Sequence, residues 1–477
     1  MDRLQQVLQE QFGFECFREG QRKIILNVID KKHTLGILPT ATGKSLTYQL
    51  PAKILKGNVL IVCPLLSLME DQVRSVQKNG EKRVIALNSS LDYLEKQYIL
   101  QHLNEYKIVF AAPEMLFQPE VMEALNYFSC SLFVVDEAHC ISTWGVDFRP
   151  DYLHLHKIQE HLGNPTTLAL TATATPLVQK DIEQLLFKGK YETIRNSTER
   201  KNIGLVTMHT QNKKQDLLKI LHSLKNKGSG IIYCATKRKC EELATLLQQE
   251  TNQKVAYYHA GIDSSERASI QEQFLHNELD LLIATNAFGM GIDKPDIRYV
   301  IHYHLSGSLE NYLQEFGRAG RDGEKSLAIL LYKKGDEKIH HYFRNQTNEQ
   351  QRILSLISQK TSEEINELLP TFPEIMQKWI KANQNSQKSL EQLSHQIEEK
   401  QWDKFLQLNK MRDYIFLQAC QRNFIQQYFH DEITMQNEKE CCLNCGLQWE
   451  NFLPDKQARL NHKDSSWQEI LSKIFNN

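Results

Sequence analysis

Two carboxylates and a histidine follow an apolar run: Leu132-Phe133-Val134-Val135 leads directly into Asp136-Glu137-Ala138-His139. Acids at the end of a buried strand can hold Mg²⁺ and direct a water at a γ-phosphate. A second group lies upstream, where Leu35-Gly36-Ile37-Leu38 runs into Pro39-Thr40-Ala41-Thr42-Gly43-Lys44-Ser45-Leu46. This reads as a strand, a tight loop and the start of a helix, whose backbone amides would face phosphates. Lys44 would reach the β/γ-phosphates and the Ser45 hydroxyl would ligate Mg²⁺. Asp136 is assigned to Mg²⁺ beside Ser45, and Glu137 to positioning or deprotonating the attacking water. Thr40, Ala41, Thr42, Gly43 and Leu46 complete the expected nucleotide-binding loop.

A third group is Gln314-Glu315-Phe316-Gly317-Arg318-Ala319-Gly320-Arg321-Asp322-Gly323. Arg318 and Arg321 are spaced to share one helical face, and two such arginines suit the charge that develops on a γ-phosphate. Taken alone, the segment reads better as a solvated basic helix end; the arginine-finger role rests on what surrounds it. Directly after the carboxylates, Cys140-Ile141-Ser142-Thr143-Trp144-Gly145-Val146-Asp147-Phe148-Arg149-Pro150 adds aromatics able to stack on unpaired bases. Packing against the domain is the alternative role for Trp144 and Phe148.

These groups need a scaffold of strands. Val59–Cys63, Ile108–Ala112, Leu132–Val135 and Thr167–Leu170 alternate with polar helical stretches, which predicts a parallel sheet covered on both faces. Arg195–Asn202 reads as a polar linker. The rhythm resumes with Gly230–Cys234, Val255–Tyr258, Asp280–Thr285 and Tyr299–His302, a second α/β domain. Beyond it the chain turns helical and rich in Gln, Glu and Lys. The expected divisions are 1–200 and 201–344 for the two lobes, 345–401 for a helical insertion, and 402–477 for a helical, cysteine-bearing tail.

Composition sets outer bounds. With 477 residues, 41% apolar and 24% charged, the chain suits two or three soluble domains. A net charge of −1 provides no global field toward nucleic acid, though a local basic groove remains compatible with it. The opening MDRLQQVLQEQFGF lacks the apolar centre of a signal peptide, and no run is long enough to span a bilayer, so a cytoplasmic protein is expected. Six of the ten cysteines are scattered; Cys420, Cys441, Cys442 and Cys445 gather near the C-terminus.

With these residues in place the chain resembles the RecQ family of superfamily 2 helicases over residues 8–335. Phe12-Gly13-Phe14, Phe17-Arg18 and Gly20-Gln21 are similar to the family segment whose glutamine reads adenine, which implies nucleotide contacts for Arg18 and Gln21. Cys63–Gln72 resembles a DNA-contacting motif, implying roles for Ser67 and Gln72. Ala112-Pro113-Glu114 is similar to another motif, and Ala169–Ala174 resembles the one linking ATP state to DNA through Thr171 and Thr173. Tyr258-His259-Ala260-Gly261 and Thr285–Pro295 follow in order, implying DNA contacts for His259 and Thr285 and a nucleotide contact for Asp293. The resemblance also implies catalytic roles for His139 and Gln314, and DNA contacts for Trp144, Phe148 and Arg149. The Asp-Glu-Ala-His motif alone would equally fit RNA helicases; the aromatic extension resembles RecQ.

The resemblance implies two RecA-like lobes and an ATP- and Mg²⁺-dependent 3′ to 5′ DNA helicase of recombination and repair. Its implied partners are single-stranded and partly duplex DNA, with single-strand-binding or recombination proteins. Its implied place is the bacterial cytosol or nucleoid. Three departures stand out. Ala41 and Thr42 replace family glycines, so slower or weaker ATP use is expected. Gln448 occupies the place of the last cysteine of the family's zinc module, leaving Cys441 as substitute ligand or the cluster metal-free. The few residues after Cys445 suggest a short form without winged-helix and HRDC domains, which puts unwinding strength in doubt. A translocase or remodeller that unwinds poorly, and a binding module with a decayed site, are the competing readings.

Overall fold

The computed structural model describes residues 3–40, 42–64, 66–142, 150–286, 288, 294–373, 376–377, 379–380, 390–431 and 440–454. Strands β1 (His33–Ile37), β2 (Asn58–Val62), β3 (Val84–Leu87), β4 (Ile108–Ala111), β5 (Cys130–Val135), β6 (Thr166–Thr171) and β7 (Tyr191–Arg195) build the first sheet. It is parallel, in the order β3-β4-β2-β5-β6-β1-β7. Strand β5 shows why its sequence is apolar throughout. Phe133 and Val135 enter the core on one face, Leu132 and Val134 the core on the other. A strand buried on both sides cannot alternate polar and apolar residues.

Strands β8 (Ile203–His209), β9 (Ser229–Tyr233), β10 (Val255–Tyr258), β11 (Leu281–Ala284), β12 (Ile297–His302) and β13 (Ser326–Tyr332) form the second sheet. It too is parallel, ordered β10-β11-β9-β12-β13-β8. Both expected α/β lobes are therefore present.

The segment between the lobes is not a solvated tether. Asn196 and Thr198 are buried, Glu199 is half-buried, and Asn196 hydrogen-bonds Ile37 and Glu19 at the edge of the first sheet.

The helical region differs in its divisions. Helix Lys338–Ile357 begins before residue 345, and helix Leu390–Ile415 runs through the 401/402 boundary without a break. Its C-terminal half packs Met411 and Tyr414 against the second sheet, in one core with Ile203, Leu205 and Leu330. Its N-terminal half puts Leu393 and Ile397 into a separate core with Leu354 and Trp379, onto which Leu153 of the first lobe packs. Lys400 adds an ion pair to Asp181 of that lobe at 3.2 Å. The cysteine-bearing end is fused to edge strand β8: the Leu205 amide donates to the Cys441 carbonyl, and Leu205 bridges Cys442. No helix among the described residues is long and apolar enough to cross a membrane.

Candidate active site

The phosphate loop leaves β1 after Ile37 and is braced from below. The Thr42 hydroxyl donates to the Pro39 carbonyl at 2.7 Å, and Gly43 takes φ +71°, a left-handed conformation that favours glycine. Gln21 donates through its carboxamide to the carbonyls of Thr42 and Gly43 at 2.7 and 3.0 Å, while accepting from the Arg18 amide. In this conformation its polar atoms serve the loop itself. Leu46, expected to help bind nucleotide, sends its side chain into a core with Leu4, Leu8 and Leu50. Ala41 lies outside the described residues.

The carboxylates stand opposite. Lys44 Nζ lies 3.5 Å from Glu137 Oε1, with both side chains 14% exposed. Glu137 adopts φ +48°, ψ +47°, a left-handed backbone uncommon for a residue with a side chain. Such strain persists where the surroundings enforce it, and it collects at functional sites. Burial pushes the Asp136 carboxyl up to about 6, helped by the Glu137 charge and opposed by Lys44. Burial acts the same way on Glu137, but Lys44 and His139 outweigh it and hold that carboxyl well below its ordinary range. The pair is thereby split into one carboxylate firmly ionised and one wanting a cation, as a Mg²⁺ ligand would.

His139 connects this site to β6. Its Nδ1 lies 3.1 Å from Thr171 Oγ1 and 3.3 Å from Glu137 Oε2. The Thr171 hydroxyl donates to the Thr173 carbonyl at 2.9 Å, which leaves its oxygen as acceptor and fits a proton on Nδ1. Ser45 starts the helix Leu46–Ile54. On that helix Tyr48 donates to Gln72 Oε1 at 3.1 Å, so a residue expected at DNA is tied to the nucleotide helix. Ser67 lies on helix Leu66–Lys78.

The second lobe closes the cleft. Gln314 lines it with Thr40, Thr173 and Thr198. The Thr40 hydroxyl donates to the Gly317 carbonyl at 3.1 Å, and a Cβ on Gly317 would stand 2.6 Å from Thr40 Oγ1. Arg318 and Arg321 do not share a helical face, which corrects the sequence expectation. Helix Leu309–Phe316 stops before them, and Gly320 turns left-handed at φ +57°. Both arginines sit on the turn that follows, with Arg318 buried. The residues that shape this turn, Arg200 and Asn202, come from the linker, where the sequence showed only a polar run.

The other expected DNA contacts divide. His259 is buried and pairs with Glu241 Oε1 at 2.9 Å, and Thr285 is buried at the end of β11. Trp144, Phe148, Arg149 and Asp293 lie outside the described residues.

Beside β8, the four sulfurs of Cys420, Cys441, Cys442 and Cys445 lie within 4.8 Å of one another, with Cys420 and Cys441 at 3.5 Å. Tetrahedral zinc–thiolate bonds of about 2.3 Å set sulfurs about 3.8 Å apart, so the donor set fits a closed zinc site. The Cys442 thiol is pushed down to about 5 by its hydrogen bond with Cys441, whose own thiol is correspondingly raised.

Residues 18–182 match the DEAD/DEAH box helicase family and residues 212–323 the helicase conserved C-terminal domain. The chain is 38% identical to the probable ATP-dependent DNA helicase RecS of Bacillus subtilis (strain 168), covering 100% of this chain and 98% of that one. It is 34% identical to the ATP-dependent DNA helicase RecQ of the same organism, over 94% of this chain and 67% of that one. Among solved structures, the DUF1998 helicase MrfA bound to DNA superposes with a TM-score of 0.60 at 18% identity, over 72% of this chain and 53% of that one. S. cerevisiae Dbp5 bound to RNA and ADP BeF3 also gives 0.60 at 18% identity, over 72% and 91%. The fold alone is thus shared by DNA- and RNA-bound helicases, and the sequence relationship shows the family: the chain belongs to the RecQ family of ATP-dependent DNA helicases.

Proposed function

We propose that this protein hydrolyses ATP between its two lobes to move 3′ to 5′ along single-stranded DNA and separate duplexes met on the way. One observation carries the reading: the phosphate loop touches the arginine turn directly, through Thr40 and Gly317, while Lys44 and Glu137 face each other behind it. Opening and closing of the lobes and the state of the γ-phosphate are then the same event. Lys44 and the loop amides hold the phosphates, Glu137 orients water, and Arg318 and Arg321 meet developing charge from the far side. Ser45 and Asp136 would hold Mg²⁺, which supplies charge neutralisation at the phosphates. His139, bonded to Thr171, passes the state of Glu137 toward the DNA-facing end of β6. DNA affinity would come from phosphate contacts and be salt-sensitive, with Trp144 and Phe148 as base-stacking groups. Recombination and repair, in the bacterial cytosol or nucleoid, is the proposed setting.

Zinc on Cys420, Cys441, Cys442 and Cys445 is part of the proposal. Cys441 takes the place that Gln448 vacates, and the ion would lock the C-terminal module onto β8.

ATPase turnover measured without nucleic acid, then with single-stranded DNA, duplex DNA and RNA, tests the reading beside Lys44→Ala. Strong stimulation by single-stranded DNA, abolished in the variant, is expected. Greater stimulation by RNA would overturn the choice of substrate.

A further inference from the structure

Arg200 lies in the linker between the lobes, outside the motifs that carry the chemistry. Its guanidinium is largely enclosed; Nε donates to Asn202 Oδ1 at 3.4 Å, and both Nη atoms turn to one target. Nη1 donates to the Gly317 carbonyl at 3.0 Å, and Nη2 to the carbonyls of Ala319 and Gly320 at 2.9 and 2.8 Å. Asn202, two residues on, donates to Gly320 and Glu324 carbonyls at 2.8 and 2.9 Å. A helix end leaves its last carbonyls without intrahelical partners. Here the carbonyls past Phe316 are gathered by one planar cation, which a lysine ammonium cannot imitate across three acceptors. Arg318 sits between the first and second of them, and Arg321 directly follows the third.

The surroundings make this arrangement costly. Burial pushes the Arg200 guanidinium down to about 10; the nearby charge of Arg321 and, less, that of Arg18 add to the effect, while Asp322 opposes it. A cation held among cations suits a cleft that receives a polyanion.

Arg200 is in turn held from the cysteine-bearing module. Arg422 donates to the Arg200 carbonyl at 2.8 Å, to Ile203 at 2.7 Å and to Cys441 at 3.4 Å. Asp431 accepts from the Thr198 amide and hydroxyl and from the Ser197 hydroxyl. An unbroken set of hydrogen bonds thus runs from the cysteine cluster through Arg422 and Arg200 to the arginine turn.

We propose that Arg200 is a positioning residue for hydrolysis: it shapes the Gly317–Gly320 turn so that Arg318 and Arg321 meet the γ-phosphate, and the cysteine module, through Arg422 and Asp431, fixes where Arg200 stands. The proposal rests on the reading of Arg318 and Arg321 as the arginines of the transition state. A displacement of about 1 Å in a group aimed at reacting atoms can cost about 10²-fold in rate.

The test combines single-turnover ATP hydrolysis, binding of a fluorescent ADP analogue, and thermal melting. Arg200→Ala should lower the hydrolysis rate about 30- to 100-fold while nucleotide affinity stays within about threefold. Arg200→Lys, which keeps charge and stem, should melt like the parent yet lose most of the rate. Added to a protein already carrying Arg318→Ala and Arg321→Ala, Arg200→Ala should cost nothing further, since residues acting through one another are not additive. Arg422→Ala should slow hydrolysis in the same direction by a smaller factor. Full multiplication of the losses, a normal rate in Arg200→Lys, or weakened nucleotide binding at unchanged rate would each overturn the proposal. Parent-like rates in both Arg318→Ala and Arg321→Ala would instead sink the underlying reading, whatever Arg200 does.

Discussion

Lys44 Nζ stands 3.5 Å from Glu137 Oε1, inside a cleft where each side chain is mostly enclosed. In this arrangement the ammonium and the carboxylate, proposed above to hold phosphate and to direct water, neutralise one another. Arrival of a γ-phosphate would compete for Lys44 and release Glu137 toward water. The pairing also explains why Glu137 stays ionised while Asp136, one residue earlier, is pushed up to about 6 by burial.

Glu137→Gln should therefore bind ATP at least as well as the parent yet hydrolyse it about 10²- to 10⁴-fold more slowly, the usual worth of a positioned proton acceptor. Turnover within threefold of the parent would remove Glu137 from the water-activating role.

Ala41 occupies a loop position where the family resemblance implies glycine. Ala41→Gly is expected to relax the approach of phosphate to the backbone and improve turnover or the Michaelis constant for ATP severalfold. If steady-state kinetics show neither change, restriction by Ala41 is not what sets ATP use.

Trp144 and Phe148 are assigned to sensing single-stranded DNA. Replacing either with Ala should bring the ratio of DNA-stimulated to unstimulated ATPase toward one, at a cost in DNA binding of about 1–3 kcal/mol per lost stacking contact. Titration with single-stranded DNA measures both, and stimulation that survives both substitutions contradicts the assignment.

The four sulfurs gathered beside β8 predict one zinc per chain by elemental analysis of the purified protein. Cys441→Ser should lower both the metal content and the melting temperature, because a structural zinc contributes to folding directly. A metal content near zero in the parent would mean that packing alone holds the cluster.

His304 supplies a pH dependence in the second lobe. Its Nδ1 accepts from the Ala235 amide at 3.2 Å, and burial, with Lys213 and Lys239 nearby, pushes its pKa down to about 4. An unfolded histidine titrates near 6.5, so below that value the unfolded chain binds a proton that the folded lobe refuses. The stability at stake is present above about pH 6.5 and is lost as pH falls toward 4. Between pH 7 and pH 5 the parent should lose about 2 kcal/mol more than His304→Gln in denaturant titrations. Equal losses would show that His304 protonates as readily folded as unfolded.

The local chemistry was legible in the sequence because it depends on neighbours in the chain. A buried strand must be apolar throughout, a phosphate loop must precede a helix, and a carboxylate pair at a strand end announces itself; Lys44, Ser45, Asp136 and Glu137 follow from those rules. Grouping Cys420 with Cys441, Cys442 and Cys445 came instead from resemblance to the family's zinc module. What only the tertiary structure decided are the relationships between distant segments. That Gln21 braces the phosphate loop, that Tyr48 holds Gln72, and that Arg318 and Arg321 ride a turn instead of a helix all depend on contacts across the fold. Arg200 is the sharpest case. Its local sequence is a polar run like any linker, and its importance comes from three carbonyls more than a hundred residues away, brought within reach only when both lobes and the cysteine module pack together.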